Sequence, residues 1–600
     1  MNAQQQPASD TGRVGISPGS SIAPTESRSW SLSNFCKTPF GCLLNLFLMR
    51  MFQGSSDSSS DEFNLGVGVI LTVLAIPGLF ISLLMFEKYG TFIQFLRGAP
   101  PLDPFVAAIP DEYFFLVLSV VVTGAATLWR WDAIFLDRRD YANLVPLPVP
   151  LKTLFAANFS AVFILAGVFA IVVNAASIIL FPIVVVGSQS SLTLLFRFAA
   201  GHAVEILIAS VFSFFAVFAI AGALMSVLPA QLFRRVSLLV RFIIAIGLLL
   251  LLATVFTVPD LLEHSKASVI KTLVELPPVS FLGIARTVWG RGNEPFVAHM
   301  TAAALLALAA TIAIATISYG LSFRRVFLRT PEVSDAGALP RLHFSLLLFP
   351  FIGKWILRSP PKRACFNFAL STLLRSEAHL QTVLAFAALG LVAAAESLNS
   401  PQGIKSLITA AHPTIEFLAV PFILSYTLIA GIRFAFEMPA ELRANWIFLM
   451  WFPGDGRDTR PIARRVIHTL TTSWLVPATW VVTLRFFSPT EAVIHAAILF
   501  ACNAVFVEIL LSNFRKIPFT CSYPAFESHS GIVLVAYLFG FLLLTEYIPE
   551  LEHWSIADPI RTLVFLPLLA APIAGVHLYR SQLLAMDKSL IFEDAPSSTL

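Results

Sequence analysis

Long apolar stretches dominate this sequence and set the strongest limit on its fold. Twelve stretches follow one another along the 600-residue chain, each of about 17–30 mostly apolar residues, the length that a membrane-spanning helix needs. Only 13% of the residues are charged, against about 25% in soluble domains. Because no soluble core hides so much apolar surface, the sequence predicts a protein whose main solvent is lipid.

The stretches are continuously apolar rather than alternating, which favours helices over the strands of a membrane barrel. We therefore predict an all-α, polytopic integral membrane bundle of about 12 transmembrane helices. The predicted spans of the first half are 65–86, 113–128, 154–186, 199–228, 237–258 and 300–321. Those of the second half are 380–395, 415–432, 467–487, 492–511, 531–547 and 560–578.

The spans form a 6+6 pseudo-repeat, because both sets share one layout. A short amphipathic segment comes before each set, and a charged, helix-like segment separates its second and third spans. Six spans return the chain to its starting side, so the repeat is parallel. The predicted parts are a disordered tail at 1–34, a first half at 35–321, a Pro-rich basic linker at 322–362, a second half at 363–580 and a tail at 581–600.

The distribution of Lys and Arg predicts the orientation of the chain. With the N-terminal tail and the even-numbered loops on one side, that side holds 29 of the 40 basic residues, and the other side holds ten. Loops rich in Lys and Arg stay in the cytoplasm. We therefore expect both termini to be cytoplasmic in a multi-pass protein of the cell (inner or plasma) membrane.

Two connecting segments carry the clearest candidate functional residues. The first, at 129–145, is predicted to be a helix at the membrane interface, and its apolar residues precede Asp137, Arg138, Arg139 and Asp140. The second, at 433–452, is predicted to be a charged amphipathic helix with Glu437, Glu441 and Arg443. A plain interfacial loop would explain either segment alone, but their recurrence at the same place in both halves favours a shared role.

Together these features resemble the permease of an ABC exporter of the second exporter class (ABC-2 type). In that family an interfacial helix, at 35–52 here, precedes the first span, and a coupling helix joins the second and third. The stretch FLDRRDYANLVPLPVPLKTLFAAN at 135–158 is similar to a recurring stretch of the family, and LPPVSF at 276–281 is similar to its segment before the sixth span. The architectural resemblance covers about residues 35–580, but the second half has no "LPV" element.

The resemblance implies a partner that supplies the energy. This chain has no Gly-rich phosphate loop, so ATP and Mg²⁺ would be bound by a separate ATP-binding ABC subunit, in two copies. That subunit would dock on the segments 131–141 and 436–446. The chain itself is then expected to be no enzyme, with no cofactor and no metal of its own, with lipid around it and no nucleic acid as partner. The substrate stays unassigned.

Three ionisable residues fall inside the predicted spans, where charges are costly. Arg241 and Glu508 lie near span ends, and we expect their charged groups to reach the interface. Glu205 follows His202 by three residues, and we expect a structural hydrogen bond there. The acidic residues and histidines of the opposite loops are expected to be solvated; they include Asp111, Glu112, Glu546, Glu550, Glu552 and His553.

Three other classes of protein stay open from the sequence, and one of them is a structural or scaffolding membrane protein. A secondary transporter of the major facilitator kind also has twelve spans, but this chain lacks the short Gly-x-x-x-Asp-Arg turn typical of that family. So few charges inside the spans give little support to a proton or sodium relay. A membrane-embedded enzyme would need clustered acidic or His residues, and the loops offer only scattered ones.

Overall fold

The structure is a computed structural model, and the residues it describes are helical or lie in the turns between helices. It describes residues 38–52, 75–76, 78–83, 85, 108–131, 146, 148–186, 191–259, 277–329, 359–399, 412–440, 445–451, 460–512, 514, 516–520, 537–556 and 559–586. No strand occurs among them. The predicted all-α class is therefore confirmed for this part of the chain.

Eight of the described helices are long and apolar enough to cross a membrane. These candidate spans are Ile109–Trp129, Lys152–Val186, Leu192–Val227, Val236–Ala253, Pro295–Ser322, Glu377–Asn399, Ile415–Ala435 and Pro489–Leu510. They match the predicted spans 2 to 8 and 10, so the chain is a multi-pass helical membrane protein. Most of the first predicted span and part of the eleventh lie outside the described residues.

The first half contains one short leading helix, four long helices, a short helix and a further long helix. They are α1 Pro39–Phe52, α2 Ile109–Trp129, α3 Leu151–Val186, α4 Leu192–Val227, α5 Ala230–Ala253, α6 Pro277–Arg286 and α7 Pro295–Arg329. A π-helical turn, Thr287–Arg291, joins α6 to α7. α7 continues past the predicted boundary at 321, because the next helix-breaking residue is Pro331.

The second half also begins with a short leading helix, and its described helices are more interrupted. Its helices are α8 Pro360–Arg375, α9 Glu377–Asn399, α10 Ile415–Ala435, α11 Trp446–Trp451, α12 Arg460–Leu470, α13 Thr472–Phe486, α14 Pro489–Leu510, α15 Ile548–Ile556 and α16 Pro559–Met586. A π-helical turn, Leu543–Tyr547, leads into α15. α14 begins with a capping box in which Ser488 and Glu491 satisfy each other's backbone N–H groups.

The predicted ninth span is two helices rather than one. α12 and α13 meet at Thr471, whose φ and ψ of −120° and −74° are not helical. The Thr471 hydroxyl donates to the carbonyl of Ile467 at 2.8 Å. Hydroxyl groups that bond to the preceding turn bend a helix, and neighbouring Thr472 adds a second β-branched residue.

α4 is the central helix of the first half, and it packs against α2, α3 and α7. Phe214, Phe215 and Phe218 of α4 are buried together with Tyr319 of α7. Where α4 meets α7, a Cβ on Gly222 would lie 2.4 Å from the Ser318 hydroxyl oxygen, so a larger residue would force this hydroxyl to move. The close packing of small residues replaces the hydrophobic driving force that lipid does not supply.

α9 and α10 form the closest helix pair of the second half. A Cβ on Gly431 of α10 would lie 2.7 Å from the Cβ of Phe386 of α9. Tyr426 of α10 stacks on Phe506 of α14 with ring centroids 4.4 Å apart. The two halves meet where α5 packs along α9.

Candidate functional site

In the first half, α1 packs on the beginning of α3, next to the end of α2. Leu43 and Phe47 of α1 are buried in one cluster with Trp131 and Leu154. Trp131 lies just after α2, and Leu154 lies in the first turn of α3. α1 therefore contacts both ends of the connection between α2 and α3, where the coupling helix is predicted.

The second half has the same arrangement. α8 packs on α12, which leads into the predicted ninth span, and Phe366 and Leu370 of α8 are buried with Ile462 and Val466 of α12. The short helix α11 also contacts α8, since the rings of Phe368 and Phe448 are 5.0 Å apart. We call the end of the bundle that holds α1 and α8 the basal end, and the other the distal end.

Most of the predicted docking residues lie outside the described part of the chain. This applies to Asp137, Arg138, Arg139, Asp140, Glu441 and Arg443, and to residues 132–145 of the predicted helix at 129–145. The predicted helix at 433–452 is interrupted, because α10 ends at Ala435 and α11 begins at Trp446. Pro439 lies in the turn between them and lacks the N–H that a continuous helix would need.

Glu437 is the one predicted docking residue whose contacts the structure describes. Its carboxylate forms ion pairs with Arg433, one turn earlier on α10, and with Lys516 after α14. The Arg433 guanidinium also lies 5.1 Å from the ring centre of Phe514. Glu437 therefore ties the end of α10 to the segment after α14, and its predicted role in docking stays a prediction.

One backbone and one side-chain hydrogen bond also join the chain after α10 to the segment after α14. The N–H of Ala440 donates to the carbonyl of Phe519 at 3.0 Å, and Asn445 donates to the carbonyl of Thr520 at 2.6 Å. Phe519 has a φ of 70°, a left-handed conformation that is uncommon outside glycine. His379 of α9 contacts both segments, through the Met438 carbonyl at 3.0 Å and the Phe519 ring.

Glu508 is buried near the basal end of α14, whereas the sequence predicted that its charge reaches the interface. Its carboxylate forms salt bridges with Arg460 at 2.8 Å and Arg464 at 2.7 Å, both on α12. Two cations on one carboxylate supply the partners that make a buried charge tolerable. Glu508 therefore joins α12, which leads into the predicted ninth span, to α14.

Arg241 also differs from the expectation, because it is buried rather than extended to the interface. Its Nη1 donates to the side-chain oxygen of Gln381 on α9 at 2.8 Å, and its guanidinium lies 5.2 Å from the ring centre of Trp131. Arg241 therefore joins α5 of the first half to the first span of the second half and to the connection after α2.

At the distal end of the first half, three helices bring charged groups together. Glu112 lies in the first turn of α2, Glu205 on α4, and Arg286 in the last turn of α6. Glu112 is 2% exposed and Glu205 is fully buried, and both carboxyls interact electrostatically with Arg286 and with each other. Glu112 and Asp111, expected to be solvated, are instead buried because α2 begins inside the bundle.

The predicted hydrogen bond between Glu205 and His202 is absent from the described structure. Both ring nitrogens of His202 and both carboxyl oxygens of Glu205 are buried without a hydrogen-bond partner among the described residues. His202 lies instead among aromatic rings, with centroids 4.9 Å from Phe181 and 5.8 Å from Phe115. His202 and Glu205 therefore lie on the same helix without a hydrogen bond between them.

The distal end of the second half holds a buried pair of a different kind. His495 of α14 and Glu552 of α15 are both fully buried and joined at 2.7 Å. Near them, His553 contacts the carbonyl of Pro413 at 2.8 Å. Glu552 was predicted to be a solvated loop residue, and this was wrong because its segment folds into α15 and packs on α10 and α14, whereas His553 is exposed as predicted.

The sequence contains one signal for these buried groups. Glu112, Glu205, His495 and Glu552 all lie within or directly next to apolar helices, where an ionisable residue needs a functional or structural reason. The short segments between spans were predicted to be loops, but two of them form α6 and α15, which are helices packed into the bundle. The described structure therefore buries more charged groups than the sequence predicted.

No family model, no curated protein and no solved structure matches this chain. Within the described residues, no group of three or more His, Cys, Asp or Glu side chains is arranged to hold a metal ion. The described structure is that of a multi-pass helical membrane protein with a similar basal arrangement in both halves and buried charged groups at both ends.

Proposed function

We propose that this chain is the membrane-spanning permease of an ATP-driven exporter of the second ABC exporter class, with both six-span halves in one polypeptide. A separate ATPase subunit, in two copies, binds ATP and Mg²⁺ and docks at the basal end. The basal end faces the cytoplasm, both termini lie there, and the chain resides in the cell membrane. The chain performs no chemistry on its substrate.

One observation carries this proposal: in each half a leading helix is packed on the helix that begins, or leads into, the predicted third span. α1 does so on α3 and α8 on α12, in both cases next to the connection that follows the second span. Because this arrangement occurs twice, it supports a bundle that receives force at two equivalent places.

The contacts at the basal end supply a route for that force. In the first half, a push on the connection reaches α3 and α1 through Trp131. In the second half, Glu437 and Glu508 fasten α10, α12 and α14 to one another. Closure of the ATPase dimer would then move each half as a body, and the halves would rock against each other where α5 meets α9.

A secondary transporter is the second candidate, and the buried carboxyls at the distal end are the observation that favours it. Glu112, Glu205 and Glu552 lie within or next to spans, as proton-coupling groups of carriers do. Such a carrier would need no ATPase. The repeated basal arrangement has no evident use in it, so the exporter stays the leading proposal.

The decisive experiment is purification of the tagged full chain in mild detergent, with mass spectrometry of the proteins that accompany it. We expect a stoichiometric partner that carries a phosphate-binding loop. The double variant Arg138→Glu with Arg139→Glu should lose this partner. The control, Arg324→Glu with Arg325→Glu, reverses an adjacent pair of arginines at the basal end of α7 and should keep it.

Two results would contradict the proposal. The chain could purify alone while it still transports in vesicles without ATP, which would leave the secondary transporter. Alternatively, both double variants could keep the partner, which would move the docking surface away from the connection after α2.

A further inference from the structure

The beginning of α9 lies between the two segments that follow the second span of each half. We call the chain between α2 and α3 the first connection and the chain between α10 and α12 the second connection. Each is described at the end that α9 contacts. In an α-helix, residues three apart share a face, and residues two apart point in almost opposite directions. His379 and Thr382 therefore lie on one face of α9, and Gln381 lies on the face opposite His379.

His379 and Thr382 contact the second connection. Nε2 of His379 donates to the carbonyl of Met438 at 3.0 Å, because a carbonyl only accepts, and Nδ1 lies 2.6 Å from the Ser376 hydroxyl. The Thr382 hydroxyl lies 3.4 Å from the sulfur of Met438. His379 is buried, so water does not compete for these contacts. One face of α9 therefore holds Met438 through both its backbone and its side chain.

Gln381 contacts the first connection, both directly and through a neighbouring helix. Its amide nitrogen lies 3.5 Å from the carbonyl of Leu128 at the end of α2, and its oxygen accepts from Arg241 of α5 at 2.8 Å. The Arg241 guanidinium in turn lies 5.2 Å from the ring centre of Trp131. Arg241 and Trp131 are both buried, and a desolvated cation over an indole ring is a favourable contact.

The contacts to both connections come from a single helical turn. The N–H of Leu380 donates to the carbonyl of Ser376 at 3.0 Å, so this turn is closed by a backbone hydrogen bond. α9 also packs along both α5 and α10, which keeps the turn in place. A hydrogen-bonded turn moves as one piece, because its dihedral angles are fixed together. A displacement of one face therefore reaches the other face.

We propose that the first turn of α9 joins the two connections into one cooperative unit, in which the order of each depends on the order of the other. We call Ser376, His379, Gln381 and Thr382 the α9 link. When one connection is held in place, the α9 link is held too, so the other connection has less conformational freedom left to lose. This inference concerns the chain alone.

One consequence rests on the proposed function. If two copies of an ATPase subunit dock on the two connections, the first copy orders its own connection and, through the α9 link, the connection that receives the second copy. Binding of the second copy is then favoured without any contact between the copies. The cooperative unit itself needs no partner, so it is tested on the full chain by itself.

Hydrogen exchange of the purified full chain in detergent, measured by mass spectrometry, tests the α9 link. The reporter of the first connection is the N–H of Arg130, which donates to Ala126 at 3.1 Å, and that of the second is the N–H of Ala440, which donates to Phe519 at 3.0 Å. Gln381→Ala removes the contacts to the first connection only, and we expect it to speed exchange at Ala440 as well.

His379→Ala provides the reciprocal test. It removes a contact to the second connection, and we expect it to speed exchange at Arg130. Each effect across α9 should be roughly two- to tenfold, the factor that corresponds to one lost hydrogen bond. The controls, His299→Ala and Gln582→Ala, change exposed side chains of α7 and α16 and should leave both reporters unchanged.

A structural role for each contact by itself gives a different result. Each variant would then speed exchange only at the reporter on its own side of α9, and this outcome would overturn the proposal. If His379→Ala loosens α14 as well, or does not fold, Thr382→Val decides, since it removes only the hydroxyl next to Met438 and should still speed exchange at Arg130. No ATPase is present in this experiment, so its failure is distinct from failure of the exporter proposal.

Discussion

Arg241 of α5 donates a hydrogen bond to the side-chain oxygen of Gln381 on α9 at 2.8 Å, across the boundary between the two halves. The amide nitrogen of Gln381 lies 3.5 Å from the carbonyl of Leu128 at the end of α2. The Gln381 amide therefore contacts both α5 and α2 of the first half. The junction of the halves lies at the basal end, beside the connection after the second span.

Replacing Gln381 with Leu should destabilise the bundle by about 1.5–3 kcal/mol, the typical net value of a hydrogen bond to a charged group. The cause is that the buried guanidinium of Arg241 loses its amide acceptor. Thermal unfolding in detergent measures this change. Gln582→Leu, at an exposed position near the end of α16, is the matched control and should stay within about 0.5 kcal/mol. Equal melting temperatures for the two variants would contradict the assigned role.

The ion pair between Glu437 and Lys516 should be coupled energetically. Single changes to Ala leave the other charge partly buried, so we expect a coupling energy of roughly 1–3 kcal/mol in a double-mutant cycle. The measurement is the free energy of unfolding of the natural chain, both single variants and the double variant. Additive effects would show that Lys516 does not stabilise the end of α10, and Glu437 would then be free to meet a partner.

Gly283 is needed for the contact between α6 and α7. An added Cβ would lie 2.6 Å from the Cβ of Met300 and 2.8 Å from the backbone nitrogen of Thr301. Gly283→Ala should therefore destabilise the protein by about 1–3 kcal/mol, the usual cost of overpacking. Gly167→Ala in α3, where no atom lies within 4 Å of the added Cβ, should stabilise it by up to about 1 kcal/mol through helix propensity. Opposite shifts in melting temperature are the expected result.

Cys365 of α8 should react slowly with maleimides. Burial raises the pKa of this thiol from an ordinary 9.0 to about 11, and the thiolate is the reactive form. In a variant that keeps only this cysteine, the labelling rate should continue to rise through pH 10, because the thiol is still mostly protonated there. A rate that levels off near pH 9 would show that α8 does not bury Cys365 against α10 and α12.

The sequence predicted the class and much of the layout of this protein because both depend on long-range composition. The predicted spans that became α2, α3, α9, α10 and α14 are correct to within a few residues, since each apolar run is bounded by charged or polar residues, Gly or Pro. α7 is longer than predicted because Arg324 and Arg325 end a hydrophobic run without ending a helix. The number of spans stays a prediction.

The buried charged groups could not be predicted, because each depends on contacts between residues far apart in the chain. Glu508 and Arg464 are 44 residues apart, and His495 and Glu552 are 57 apart. Nothing local in the sequence shows that the segment of Glu552 folds back against α14. The break at Thr471 is different, since its run of Thr and Ser residues is a local signal that hydropathy alone does not register.

The length of α3 has a mechanical consequence. At 36 residues, this helix is a rod of about 54 Å at 1.5 Å per residue. Its first turn is held by α1, next to the connection where a partner is proposed to push. A rotation of about 10° around that base would displace the distal end by about 9 Å, given the same rod length. α3 is therefore built as a lever arm, in which a small rotation at its base becomes a movement of several ångströms at the opposite membrane surface.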